Sequence, residues 1–324
     1  MAVGLCGCDL PIPDAVRLDP GAPVVVDAKG VSWGGVRLER LEAVLFHGVR
    51  YEDPVLPPAE PACDWSLWQA GTVIRQQRYS CLFSARARLE QVGGVRLYNP
   101  LSTELAAFDR FGQLDRLGRA GFAVPSLLVS NNDGKVAAFQ RRNDGVELIW
   151  RPVTGQAAWQ LFRDRQRSHL VGPDKPPVLL AAVVPGRVLR VYVLDGRVVL
   201  VLAMLAPNRD GLERLEGMMA VEDLAPERLE TIARAVSALG LRRAAALVVD
   251  GADGPVFHDI DPDPELSDLP PVFEEYLKRC LAAALTGTPM PAPDFGPEPV
   301  ERSSLLLRRM LAIQFDMEAT KYAE

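Results

Sequence analysis

Cysteine is scarce in this chain of 324 residues: there are five, an odd number with no CxxC pair among them, which argues against a disulfide framework. Cys6-Gly-Cys8 is the one close pair, and a metal or redox role for it stays open. Cys63, Cys81 and Cys280 stand alone, which reads as free thiols in a reducing cytoplasm. No apolar run reaches the roughly 18–20 residues that a membrane helix needs. The opening residues 1–9 carry no basic stretch followed by an apolar one, so a secretory signal is not expected. Positive charge is short as well. Lys and Arg number 36 against 42 Asp and Glu, a net charge of -6, which argues against general nucleic-acid binding. Neither GxGxxG nor GxxxxGK[ST] occurs, so the two common glycine-based phosphate cradles are missing. No repeat of about 20–50 residues is visible.

What is present is a globular composition, 48% hydrophobic and 24% charged, in a chain long enough for two or three packed subdomains. Segments 24–26 and 41–46 read as strands, 54–61 as a proline-rich break, 75–91 as a helix ended by Gly93-Gly94, and 95–98 as a buried strand. The stretch 101–121 reads as one helix. Ser102 or Thr103 would cap it, Leu105, Phe108, Phe111, Leu114 and Leu117 recur at helical spacing, and Gly121 stops it. A strand at 126–129 is followed by the turn Asn131-Asn132-Asp133-Gly134, a hairpin-like strand at 135–140 and another strand at 146–150.

The clearest β signal lies between 176 and 204. An apolar run at 178–184 turns at Pro185-Gly186, and strands 188–194 and 197–202 flank Asp195-Gly196, the strongest short hairpin signal a sequence offers. Helix 226–240, strands 244–249 and 255–260, helix 271–285 and a last helix at 303–322 complete the chain. Hairpins mixed with helices predict α+β subdomains rather than a Rossmann sheet.

Three stretches, in order, resemble the ATP-grasp superfamily, and within it the RimK-type glutamate ligases and the graspetide (microviridin-type) peptide macrocyclases. The first is Asn99-Pro100, a helix with Asp109-Arg110, then Arg119-Ala-Gly-Phe-Ala-Val-Pro125. The second is Leu148-Ile-Trp-Arg-Pro-Val-Thr-Gly155. The third runs from Pro177 through Arg190 to Val256-Phe-His-Asp-Ile-Asp-Pro262. The set covers about residues 95–285. The resemblance implies an ATP-grasp fold with an N-terminal α/β domain at 1–98, a central subdomain at 99–178 and a C-terminal subdomain at 179–290. The last two would enclose the nucleotide, and 291–324 would form a linker and helix.

The resemblance also implies chemistry. An ATP-dependent ligase of this kind phosphorylates a carboxylate and lets an amine or hydroxyl displace the acyl phosphate. It therefore needs cations over the phosphates and carboxylates that hold Mg²⁺. The family's two phosphate-binding lysines fall on Arg110 and Arg151, its acyl-phosphate arginine on Arg190, and its metal-binding Glu and Asn on Asp259 and Asp261. Alternate residues of an extended chain share a face, so Asp259 and Asp261 could reach one cation, with His258 expected on the opposite face. Arg151 and Asp259 should then lie within about 15 Å, the reach of one nucleotide with its metal.

This sequence also departs from the family. A further metal-binding Asp falls near Leu247, with Asp250 three residues on, and the hinge Gln-Glu falls on Ala181-Ala182, leaving the backbone of Val183 and Val184 to meet adenine. The expected substrate is a peptide or amino acid, with a precursor peptide and a homodimer among the partners open to the chain and neither nucleic acid nor membrane expected. Arg75 and Arg78, three apart on a helix, would face an acidic acceptor. The rival reading is a degenerate ATP-grasp protein that binds a peptide or partner without turnover.

Overall fold

The computed structural model describes residues 3–6, 10–19, 22–47, 65–153, 159–205, 217–267, 269–295 and 300–301. The proline-rich break, the last helix, Cys8, Cys63 and the side chains of Cys6, Arg75 and Arg78 lie outside the described residues.

The N-terminal part is built from β1 (Val3–Cys6), β2 (Val16–Arg17), β3 (Val24–Asp27), β4 (Gly30–Trp33), β5 (Val36–Arg37), β6 (Ala43–Phe46), the long helix α1 (Trp65–Val92) and β7 (Arg96–Tyr98). β2-β1-β6-β7 form a parallel sheet, and β3-β4-β5 an antiparallel one. Trp33, Phe46, Leu82 and Leu89 share the core that joins the smaller sheet to α1.

The stretch expected as one helix is two, α2 (Leu101–Phe108) and α3 (Arg110–Arg119). Asp109 leaves helical geometry at φ -74 and ψ 91, and its carboxylate accepts from the Gly112 amide, so a cap forms where continuation was expected. The break turns Leu105 and Phe111 outward, while Leu114 and Leu117 stay buried. Neither Ser102 nor Thr103 caps α2. Pro100 holds that position, Ser102 bonds Glu90, and the Thr103 hydroxyl donates to the Pro100 carbonyl.

Next come β8 (Leu127–Ser130), α4 (Asp133–Arg142), β9 (Leu148–Pro152), β10 (Gln160–Leu161), α5 (Asp164–Leu170) and β11 (Val178–Ala182), with the strands in the antiparallel order β10-β9-β11-β8. The expected strand at 135–140 is helix α4. Asn132 accepts from the Lys135 amide at 3.0 Å, and the turn residues become an N-cap. Val136 and Phe139, three apart, bury against Leu148 and Leu180.

The C-terminal part holds β12 (Arg187–Leu194), β13 (Arg197–Leu205), β14 (Gly217–Ala220), α6 (Pro226–Ala238), β15 (Arg243–Gly251), β16 (Gly254–Asp261), α7 (Pro271–Thr286) and β17 (Val300–Glu301). Its sheet runs β16-β15-β12-β13-β14-β17, with every pairing antiparallel. The hairpin at Asp195-Gly196 is present, with both residues at positive φ, 45 and 72. One face, with Leu189, Val191 and Val248, packs on α6 and α3. The other face is divided. Tyr192, Leu194 and Ala245 meet α7 and the N-terminal sheet, while Leu247 clusters with Ile149, Leu179 and Ala181 of the four-stranded sheet. The architecture is α+β, as the mixed pattern predicted.

The chain passes from one sheet to the other at Pro185-Gly186. Gly186 has φ 153, and a Cβ there would meet the Asp250 carbonyl oxygen at 2.5 Å. Gly186→Ala should therefore cost about 1–3 kcal/mol of stability, read as a lowered midpoint in urea unfolding at unchanged slope.

Candidate functional site

Three arms separated in sequence converge between the four-stranded and six-stranded sheets. Arg110 is the first residue of α3, Arg151 lies on β9 and Asp259 on β16, and all three are buried. Arg110 Nη1 donates to Asp259 Oδ1, and at 3.1 Å also to the Ile260 carbonyl. Arg151 Nη1 donates to Asp259 Oδ2 at 2.8 Å, far inside the spacing expected from the sequence. One carboxylate thus ties an arginine from each side of the cleft.

Burial is the largest influence on the Asp259 carboxyl and pushes its pKa up. The charges and hydrogen bonds of Arg110 and Arg151 together outweigh burial and hold the group below the usual aspartate value.

A β-bulge sets what else faces the cleft. Leu247 pairs with Asp259 and Val248 with Phe257, so His258 is the extra residue in β16. Phe257 and Ile260 both enter the core under α6, which leaves His258 and Asp259 side by side on the opposite face. His258 therefore shares the face of Asp259, against the expectation from simple alternation. Its ring stands edge-on to Trp159 at 6.3 Å. Burial pushes its pKa down to about 4, with Asp259 opposing, so the imidazole is neutral at pH 7.

Asp261 resumes the alternation beyond Ile260 and shares the face of Asp259. Its Oδ1 accepts the Asp263 amide at 3.1 Å. Arg190 pairs across to Leu247, which pairs with Asp259. It stands on the same face two strands away, about 10 Å in sheet spacing, with its guanidinium over the Tyr192 ring at 5.6 Å. Val183 and Val184 follow β11 at the passage between the sheets, half-buried. The Val183 amide is already committed to the Glu147 carbonyl at 2.8 Å, which removes it as an adenine donor. Asp250 does not stand in for the missing acid at Leu247. It lies near the far end of β15, bonded to Arg228 of α6.

The sequence reading missed Gln113, which is fully buried and gives and takes hydrogen bonds with the Ile260 backbone at 2.6 and 2.9 Å. Its spacing from Arg110, three residues along one helix, was the available signal. Asn99 was noticed only as part of a motif. Buried, it donates to the carbonyls of Arg243 and Pro262 and accepts the amides of Arg242 and Arg243, all at 2.7–2.9 Å.

No protein-family model matches the sequence, and no curated protein does. Solved structures do match. The macrocyclase MdnC bound with precursor peptide MdnA, from Microcystis aeruginosa MRC, aligns over 89% of this chain and 100% of its own at 16% identity and TM-score 0.67. The ATP-grasp ligase PsnB, complexed with a phosphomimetic variant of minimal precursor, Mg and ADP, aligns over 87% and 98% at 20% identity and TM-score 0.66. The D-cycloserine synthetase DcsG covers 88% and 100% at 18% identity, with TM-score 0.53. This chain has the ATP-grasp fold.

In an ATP-grasp cleft the donors on hand suit Mg²⁺ held jointly with phosphate. Asp259 and Asp261 offer hard carboxylate oxygens on one face, and Mg²⁺ typically takes one or two carboxylates together with phosphate oxygens and water. Among the described residues no group of three His, Cys, Asp or Glu side chains could hold an ion by itself.

Because the folded Asp259 pKa is depressed, its contribution to stability is full above the unfolded value, about 4, and is lost as pH falls through the folded one. Asp259→Asn removes the charge that two buried guanidiniums share and should destabilise the protein by about 3–5 kcal/mol at pH 7. The gap between variant and wild type should narrow below about pH 4, measured by denaturant unfolding across pH. A gap that stays constant with pH would contradict the charge-based account.

Proposed function

We propose that this protein is an ATP-dependent ligase that joins a carboxylate to an amine or hydroxyl on a peptide or amino-acid substrate, through an acyl phosphate. The observation that carries the reading is the meeting of Arg110, Arg151 and Asp259 in the cleft, with Arg190 and Asp261 on the same face. In this role Arg110 and Arg151 bind the nucleotide phosphates, their planar guanidiniums suited to bidentate contact. Asp259 and Asp261 hold Mg²⁺, which when bound neutralises the charge that builds on the phosphates. Arg190 faces the activated carboxyl, where a fixed positive charge favours the developing oxyanion. The backbone at Val184 and the carbonyl of Val183 remain for the base.

In this reading residues 99–178 and 179–290 enclose the nucleotide, and residues 1–98 contribute to acceptor binding. A precursor peptide is the substrate class that the PsnB and MdnC complexes suggest. No helix among the described residues is long and apolar enough to cross a membrane. ATP supply and free thiols make the cytoplasm the compartment for this chemistry.

One set of observations favours a second reading, a nucleotide-site relic that binds a peptide without turnover. Leu247 stands where a third metal ligand belongs, Ala181-Ala182 carry no polar hinge side chains, and both Asp259 oxygens are already occupied.

Calorimetric titration of MgATP into the full chain separates the two. The ligase reading expects binding that EDTA abolishes, and ADP release in the presence of a peptide containing Glu, Ser and Lys. Arg190→Gln should keep that binding and lose about 100-fold or more in ADP release. Absence of MgATP binding moves the protein to the second reading.

A further inference from the structure

Trp159 is one of the largest fully buried side chains among the described residues, 1% exposed. It clusters with Ile149, Leu179 and Ala181 of one sheet and Leu247 of the other, and half-buried Val183 packs on the same cluster. That is the strand-to-strand passage beside which the base of a nucleotide would have to lie. The Arg151 guanidinium sits over the indole at 5.4 Å and then reaches Asp259 at 2.8 Å. From the passage outward the order is therefore a flat bicyclic ring, a cation and an anion. A nucleotide bound here would present the same order, with its base toward the passage and its phosphates on the arginines.

The closed packing also leaves polar atoms unserved. The Trp159 indole N–H and both ring nitrogens of His258 are buried without a hydrogen-bond partner among the described residues. Native proteins rarely leave such groups unserved without a functional reason, and three of them together mark a state that a ligand or a rearrangement can improve.

We propose that Trp159 occupies the base position and the Asp259 carboxylate the phosphate position of the ligand-free cleft, so that the chain carries an internal stand-in for the nucleotide and ATP enters by displacing it. The inference rests on the nucleotide reading of the cleft and adds how access to it is set. Displacement has two parts. The indole leaves the space beside Val183, and the two arginines exchange the carboxylate for phosphate, which frees Asp259 for the metal ion. Apparent affinity is the intrinsic affinity multiplied by the fraction of molecules in which the ring has moved away.

The alternative, a tryptophan that stacks on a bound base, predicts the opposite sign for its removal. Calorimetry of MgADP binding to wild type, Trp159→Leu and Trp159→Phe decides between them, with thermal unfolding to confirm that each variant is folded. Trp159→Phe, which keeps an apolar ring, carries the test if Trp159→Leu does not fold. The displacement model expects MgADP to bind the variants about tenfold tighter or more. It also expects MgADP to increase acrylamide quenching of tryptophan fluorescence in wild type and not in Trp159→Phe. Equal or weaker binding by the variants, with wild type binding normally, overturns the displacement model and leaves the ligase reading standing. Failure of all three proteins to bind MgADP overturns both. Binding by the variants but not by wild type supports the displacement model.

Discussion

A single buried carboxylate, Asp259, holds the two halves of the cleft at a fixed distance. Removing a charge from water is expensive, and a buried ion pair is seldom a net source of stability against an apolar replacement. What the arrangement supplies is geometry. Arg110 arrives on a helix, Arg151 on a strand of the smaller sheet, and neither can shift without giving up its contact with the shared carboxylate. The surrounding apolar packing of Leu247 against Ile149, Leu179 and Ala181 is non-directional and would tolerate sliding. The ion triad would not.

The N-terminal sheet is fastened to this frame by polar contacts as well as by packing. His47, at the carboxyl end of β6, lies 2.7 Å from Asp263, and Arg243 reaches the same Asp263 oxygen at 2.6 Å. Asn99, just past β7, binds both strands of the hairpin that carries Asp259. Arg86 of α1 pairs with buried Glu104 of α2, whose carboxyl burial pushes upward in pKa while Arg86 opposes it.

Much of this was legible in the sequence, and the reasons differ by element. The Asp195-Gly196 hairpin and the helix from Pro226 were readable because turn chemistry and apolar period agree locally. Arg110, Arg151 and Asp259 were reachable only through the ordered resemblance, since nothing local to any of them announces a partner more than 100 residues away. Helix α4 was misread because Asn131-Asn132-Asp133-Gly134 serves equally as a turn and as a cap, and only the burial of Val136 and Phe139 decides between them. The side of the strand on which His258 falls was hidden for another reason: a bulge changes parity without any compositional mark.

The buried amide of Gln113 has a consequence for how other chains can engage this one. β16 is an outer strand of its sheet, and outer strands offer unpaired backbone groups to any extended peptide. Here the Ile260 amide and carbonyl are taken by Gln113, and the Phe257 amide donates to the Ala123 carbonyl at 2.9 Å. A glutamine side chain and one loop carbonyl act as a counterfeit neighbouring strand. A guest peptide would have to displace both before it could extend the sheet at Phe257 and Ile260.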